Sequence, residues 1–448
     1  MFSNTTFTYS KFNFEFANLD TQRDYTGSAG ADTLTDYSYS FTEFENHITD
    51  VGLKVDFDYI PSPKHYIRFG GSLVAHEFGS GNTDFFVQIE DLEAPIDDPE
   101  IDDLRPEFGE EDDYTAVEFD AYVEDEIEVS KSFKANLGLR VSVFSNSDQK
   151  WYGSIEPRLQ GRYFMNSRWS ANASLARTNQ KLHLLTNTGL GLPFDTWIPS
   201  VEEIRPQTAW QGVLGIQYYK AKTLKFKVEG FYKKMNHLIA LTESLFAFEN
   251  LTLTDSTFIK GTGKAYGVEF SLEKDFKRGF LFAYYTLSKS ERRFPEFNLG
   301  KWYPFQYDRK HSLKVGGIWK IRKRMNLSFT WTFFTGPPRI YDDLLNNLTD
   351  DSSIPEILLP ENNGEFNLKR NPNYDRLDVK VDFTFVKKRG THLLSFNVYN
   401  VYFKRNVLFY ERVPIYSNTN NNYEVIGYRE VANPLPVIIP SINYAFRF

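Results

Sequence analysis

Residues 377–385 read Leu-Asp-Val-Lys-Val-Asp-Phe-Thr-Phe, and Lys387-Lys388-Arg389-Gly390 follow almost at once. Leu377, Val379, Val381, Phe383 and Phe385 fall in one phase, with Asp378, Lys380, Asp382 and Thr384 in the other. Successive side chains of a strand point to opposite faces, so this stretch has one apolar and one polar face. A helix would scatter the same residues around its axis. The short basic stretch ending in Gly turns the chain into a second segment near 391–404, which predicts a hairpin.

The same alternation recurs in both directions. Leu53, Val55, Phe57 and Tyr59 alternate with Lys54, Asp56 and Asp58, and Val117, Phe119, Ala121 and Val123 with Glu118, Asp120, Tyr122 and Glu124. Leu137 to Val143, Leu224 to Val228, Leu327 to Phe333 and Ile442 to Phe448 repeat it. About sixteen such segments run from 2–16 to 437–448. In the first, Phe7 and Tyr9 lie in one phase and Phe12, Phe14 and Phe16 in the other, which predicts a bulge or break between them.

The connections alternate between short and long. Short ones include Pro61-Ser62-Pro63, Ser130-Lys131-Ser132, Lys220-Ala221-Lys222, Asp275-Phe276-Lys277-Arg278 and Arg322-Lys323-Arg324. Long polar stretches lie near 78–113, 180–205, 239–261, 292–307, 336–374 and 405–436. Tight turns at one end and long loops at the other describe an up-and-down antiparallel sheet, and outer-membrane barrels show this asymmetry. A tilted strand needs roughly 9–11 residues to cross a bilayer, and most segments meet that length. The fold class is therefore all-β, a transmembrane up-and-down antiparallel β-barrel, with residues 1–448 read as a single barrel domain.

Composition agrees. The chain has 448 residues, 41% hydrophobic and 17% aromatic, with 41 Phe, 27 Tyr, 7 Trp and no Cys. No run approaches the roughly 20 apolar residues of a membrane helix. So many aromatics argue against disorder, and they suit the girdles at the two interfaces of a barrel. The net charge of −8 gives no pull toward nucleic acid. Without Cys there is no disulfide, thiolate metal site or thiol nucleophile.

Several segments go beyond this generic pattern and, in order, resemble TonB-dependent outer-membrane receptors. They are Gly138-Leu139-Arg140, Gly153-Ser154-Ile155-Glu156-Pro157-Arg158-Leu159, Lys181–Asn187 with Leu192–Pro199 and Ile204–Gln207, and Gly263–Glu269. Tyr285–Ser290, Tyr307-Asp308-Arg309-Lys310-His311, Tyr374–Asp378 and Asn397–Tyr402 continue the series. The resemblance implies localisation in the outer membrane of a Gram-negative bacterium and uptake of a scarce nutrient. It also implies membrane lipids and the barrel-assembly machinery as partners, and the TonB energy-coupling complex for the full-length parent. The final strand, with Ile442, Tyr444, Phe446 and Phe448, would carry the assembly signal.

Receptors of that family carry a signal peptide, a TonB-contacting segment, a plug and about 22 strands. This sequence shows none of the first three and about sixteen strands, so it is expected to be the C-terminal portion of a receptor barrel from a truncated gene product. Two other classes fit the sheet: a passive porin-like channel of sixteen strands, a size that leaves an aqueous channel, and a surface-binding outer-membrane protein.

No catalytic, cofactor-binding or metal residue is nominated. His47, His65, His76, His183, His237, His311 and His392 are scattered without zinc spacing. Gly189-Leu190-Gly191 and Gly261-Thr262-Gly263 open no helix after a strand and read as loop bends. The acidic stretch from Glu90 to Asp113 lacks the fixed spacing of an EF-hand, so a solvated, self-repelling loop is expected rather than a Ca²⁺ site. Lys220, Lys222, Lys277, Arg278, Arg322 to Arg324 and Lys387 to Arg389 are expected at the periplasmic rim, against phospholipid headgroups. Trp197, Trp302, Tyr303, Tyr341 and Tyr410 are candidates to stack on a ligand, and Arg205, Arg309 and Arg339 to hold an anionic one. The ligand itself is not specified.

Overall fold

The computed structural model describes residues 1–26, 33–91, 113–146, 150–186, 195–201, 204–220, 223–241, 258–340, 368–419, 422–435 and 437–448. Seven strands follow one another: β1 (Phe2–Thr26), β2 (Thr33–Ser62), β3 (His65–Asp91), β4 (Asp113–Ser130), β5 (Phe133–Asn146), β6 (Trp151–Phe164) and β7 (Trp169–Gln180). A small separate hairpin comes next, β8 (Leu182–Thr186) with β9 (Asp195–Pro199). The sheet resumes with β10 (Gln207–Lys220), β11 (Leu224–Leu241), β12 (Phe258–Phe276) and β13 (Gly279–Arg293). The two-residue β14 (Tyr303–Pro304) adds to β13 before β15 (His311–Arg322) and β16 (Met325–Phe334). A short ladder of β17 (Pro338–Ile340) and β18 (Leu368–Arg370) precedes β19 (Tyr374–Lys387) and β20 (Gly390–Tyr399). The second separate hairpin, β21 (Asn406–Thr419) and β22 (Asn422–Leu435), leads to β23 (Ile439–Arg447).

Leaving out β14 and the outer hairpins, sixteen strands pair antiparallel with their neighbours in sequence, from β1–β2 to β20–β23. This is the expected up-and-down meander. Within the described residues β1 pairs only with β2 and β23 only with β20, so the sheet has two free edges.

The pairing register aligns like residues across the sheet. Leu53, Leu73, Phe119 and Val143 occupy one transverse row, and Leu139 meets Pro157 in another. Leu53, Leu73, Phe119 and Leu139, together with Val123, Ile155, Leu159, Leu214, Ile216 and Phe270, are exposed on one face, and Val143 and Pro157 lie half-buried on it. That face is the lipid-facing outer wall. The opposite face carries Asp50, Asp56, Arg68, His76, Glu118, Asp120, Arg140 and Glu156, many of them hydrogen-bonded to one another. On β10 the outer-face aromatics Tyr218 and Trp210 stand eight residues apart, which is about 20 Å once strand tilt is allowed for. Trp169 packs on Tyr218 at 4.9 Å, and Tyr232 stacks on Tyr266 beside Trp210. These are the two aromatic girdles.

Two expectations need correction. The register of β1 against β2 is unbroken from Phe2 to Asp24, so no bulge separates Tyr9 from Phe12. Phe7 and Tyr9 share the outer face with Leu53 and Val51, while Phe12 turns inward beside Ile48. The phase changes because the strand leaves the bilayer: once the outer face meets water, only the inner one gains from apolar residues. The long connections are also less loop-like than their polarity suggested. β2 alone runs for 30 residues, and residues 180–205 and 405–436 contain the hairpins β8–β9 and β21–β22.

Leu214 pairs with Ala173 and Gly230 midway up the outer wall and is 70% exposed there. Leu214→Arg is expected to destabilise the barrel in lipid by about 2–4 kcal/mol, whereas Thr178→Arg, exposed on the polar face of β7, leaves it nearly unchanged. Denaturant unfolding in phospholipid vesicles, followed by Trp fluorescence, measures both.

Candidate functional site

The most developed interior feature is built by the described residues between Lys181 and Gln207, which fold inward from the outer end of the sheet as a strap. Lys181 is nearly buried, and its Nζ lies 2.6 Å from Glu118 Oε1 and 3.9 Å from Asp120 Oδ1 on β4. Arg140 from β5 holds Asp120 at 2.6 Å, and His76 from β3 meets Asp50 at 2.8 Å. Asn146 Nδ2 donates to Ser200 O at 3.2 Å and Tyr152 Oη to Val201 O at 2.7 Å, which ties the strap to β5 and β6. Its far side is apolar: Ile198, Val201 and Ile204 form a buried cluster with Phe258 of β12, against Tyr114 of β4 and Ile239 of β11. The strap therefore joins strands well separated around the sheet.

His183 is the pin of the strap and is fully buried. Its Nδ1 lies 3.0 Å from Gln207 Nε2 and its Nε2 3.1 Å from Ser200 Oγ, and that hydroxyl donates to Lys181 O at 2.8 Å. With Gln207 donating to Nδ1, the ring is the neutral Nε2–H tautomer, and a second proton would set donor against donor. Burial, with a smaller contribution from His237, pushes its pKa down to about 4.

Across the sheet, the outer ends of β15, β16, β19 and β20 build an aromatic and cationic wall. Arg309 lies 3.8 Å from the centre of the Phe334 ring, which stacks on Tyr374 at 4.3 Å with planes 3° apart. Arg376 sits 4.2 Å from the Tyr399 ring centre, donates to the Tyr374 and Tyr399 hydroxyls at 2.8 and 2.7 Å, and pairs with Asp378 at 3.0 Å. Nearby, Arg292 stacks on Phe305 at 4.1 Å. A guanidinium stacked on an aromatic face, as Arg309 is on Phe334, can still offer its edge to an anion, whereas Arg376 already spends its edge on Tyr374, Tyr399 and Asp378.

Two of the quoted motifs form a clamp. Asn400, at φ 54°, receives a hydrogen bond from Lys404 N and donates to the carbonyls of Lys404 and Val437, while its own N–H donates to Asp378 Oδ1. Asp375 accepts from Trp331 Nε1 at 2.7 Å and from the Tyr402 hydroxyl, and Asn406 bonds its backbone twice. Asp308, also buried, is held by Arg370 and accepts from Ser290 N at 2.6 Å. These side chains fix where the outer segments leave the sheet.

The residues nominated from sequence are dispersed. Arg309 joins the inner wall, Arg339 stacks on Tyr410 at 3.9 Å, Trp197 lies in β9 and Arg205 is exposed. Trp302 instead covers Lys264 at 4.2 Å. Tyr341, Gly189 to Gly191, Lys222 and residues 92–112 of the acidic stretch lie outside the described residues. Among the described residues no three His, Asp or Glu side chains gather as a metal site. Ile442, Tyr444 and Phe446 lie on the outer face of β23, and Phe448 is fully exposed beyond it. Glu118, Asp120 and Arg140 each read as the polar half of an alternating strand, and Lys181 as part of a polar loop; only the register and the fold of the strap bring them together.

A family model for TonB-dependent receptor-like β-barrels matches residues 2–401. The chain belongs to this family. Among solved structures, it is similar to the ferripyoverdine receptor of the outer membrane of Pseudomonas aeruginosa, with a TM-score of 0.56 and 13% identity over 91% of this chain and 53% of that one. The ferric-catecholate import receptor Fiu of E. coli K12 matches with a TM-score of 0.56 and 11% identity over 99% and 64% of the two chains. The FrpB iron transporter of Neisseria meningitidis (F5-1 variant) matches at 0.55 and 10% over 96% and 64%. At such identities the likeness establishes the fold and no ligand, and the chain spans between about half and two thirds of each of these relatives. No curated protein matches the sequence.

Because folding holds His183 neutral, its contribution to strap docking is full above the ordinary histidine pKa of about 6.5 and is lost as pH falls toward about 4. Hydrogen exchange of the β8–β9 amides, corrected for the intrinsic pH dependence, is expected to accelerate over that window. His183→Gln is expected to remove this pH dependence.

Proposed function

We propose that residues 1–448 form one barrel domain of an outer-membrane receptor in a Gram-negative bacterium, the C-terminal portion of a TonB-dependent importer for a scarce anionic nutrient. The reading rests above all on one arrangement: a lipid-facing outer wall, a polar inner wall, and at the outer strand ends of that inner wall a strap and the Arg309–Phe334–Tyr374–Arg376 stack. A ligand entering from outside would meet guanidinium and aromatic groups first, and these suit an anion.

The free edges of β1 and β23 support a longer parent. Unpaired backbone is not tolerated in hydrocarbon, so further strands would close the barrel, toward the 22 that the resemblance implies. The plug and the TonB-contacting segment would belong to that parent, and TonB would act on the plug. A passive channel is the second reading, since sixteen strands leave an aqueous pore; the strap folded onto the inner wall argues against it. The family and the similar solved structures are receptors and transporters, which supports a receptor over an enzyme.

Planar-bilayer recordings separate the readings. The purified 448-residue chain is expected to give no stable open conductance, and a steady, reproducible conductance step would replace the receptor with the porin. The outer face of β23, Ile442, Tyr444 and Phe446, together with Phe448, is assigned to recognition by the assembly machinery. Phe446→Ser with Phe448→Ser is expected to leave most of the chain out of the outer-membrane fraction. Unchanged membrane levels on immunoblots of fractionated cells would remove that assignment.

A further inference from the structure

The short turns do not share their charge equally. Lys277 and Arg278 between β12 and β13, Arg322 to Arg324 between β15 and β16, and Lys387 to Arg389 between β19 and β20 are unbroken runs of Lys and Arg. Within three residues of any of them the sequence holds one carboxylate, Asp275. All eight are exposed, and among the described residues none of them is in an ion pair.

The three turns are neighbours in space. β13 pairs with β15 and β16 with β19, so the turns follow one another along the same rim. Lys320 N donates to Arg278 O at 2.6 Å and Thr384 N to Arg324 O at 2.9 Å, which ties each turn to the strand end beside it. Phe276 and Trp319 pack against each other at 6.4 Å on the outer face just above, and Phe385 is exposed at the same end of β19. Aromatic residues of this kind mark the interface, so the cations stand beyond it, on the water side.

The far part of the rim differs. The turns leading into β3, β5 and β7 carry one cation each, Lys64, Lys131 and Arg168. Beside them Glu126 holds Arg68 at 3.2 Å and Glu128 holds Lys134 at 3.6 Å, so charge there is largely matched. The turn between β10 and β11, with Lys220 and with Lys222 outside the described residues, stands between the two arcs. A bilayer surrounds every strand alike, so contact with headgroups calls for similar charge in every turn. Charge gathered on one arc calls for a partner that occupies one side.

We propose that these three turns form a docking surface for the acidic face of a periplasmic protein. The proposal rests on the outer-membrane reading above, which puts the short turns on the periplasmic side. A single exposed ion pair is weak, but a fixed group of like charges draws in a surface of opposite charge and sets its orientation. Such docking is reversible and weakens with salt.

The test places a photo-crosslinking amino acid at Lys323 or Lys388, and for comparison at Lys131 or Arg168, in the 448-residue chain expressed in its own organism, with adducts in the outer-membrane fraction sequenced by mass spectrometry. Lys323 and Lys388 are expected to give the same protein adduct, joined through a segment rich in Asp and Glu, and Lys131 and Arg168 about a tenth as much or less. In vitro the probe is poly-L-glutamate, titrated onto the chain in nanodiscs of zwitterionic lipid. Its affinity is expected to fall about tenfold with Arg322→Glu and Lys388→Glu together, and to stay unchanged with Lys131→Glu and Arg168→Glu together. Arg322→Gln with Lys388→Gln repeats the comparison without charge reversal, should the first variant fail to assemble. Equal adducts from both arcs, an adduct through a segment without acidic residues, or equal loss of affinity in the two double variants overturns the proposal. Adducts to phospholipid alone overturn it in favour of headgroup contact. A chain present in the outer-membrane fraction without the adduct sinks this proposal alone, whereas a chain absent from that fraction sinks the membrane reading with it.

Discussion

Every backbone N–H and C=O within a bilayer must find a partner in the protein, because hydrocarbon offers none. That requirement admits a closed sheet, and a sheet in lipid around an aqueous interior has one apolar and one polar face along each strand. The sixteen-strand meander, the alternating side chains and the turn asymmetry all follow from it. The polar groups on the inner face bring a second requirement. Glu118, Asp120, Arg140 and Lys181 are partly or fully shielded from water, so they satisfy one another instead of solvent.

Much of this was legible in the sequence because the period of two is a property of neighbours along the chain. Leu377 to Phe385 needs no partner strand to reveal its faces, and Lys387 to Gly390 announces its turn. The motifs around Tyr374 and Asn397 were visible as strings, but their purpose was not. Asn400 reaches across to Asp378 and Val437, and Asp375 to Trp331 and Tyr402, so their role exists only between elements. The strap was hidden for the same reason. Residues 180–205 read as a polar loop, although Ile198, Val201 and Ile204 bury themselves against strands far away in the sequence.

The phase change in β1 was read as a bulge because a fixed environment was assumed along the strand. Phe7 and Phe12 obey different solvents instead, the first facing lipid and the second the inner wall.

Lys234 and Lys264, paired directly above the Tyr232–Tyr266 stack, work as a waterline. Sinking the barrel by two residues, about 5 Å along the membrane normal, would draw both into hydrocarbon. Raising it by as much would lift apolar wall into water at one rim and drag the basic turns at Lys277–Arg278 and Lys387–Arg389 into hydrocarbon at the other. Both displacements carry a penalty, and they oppose one another. The barrel therefore floats at a defined draught, and a pull along its axis would move whatever it holds before it moved the hull.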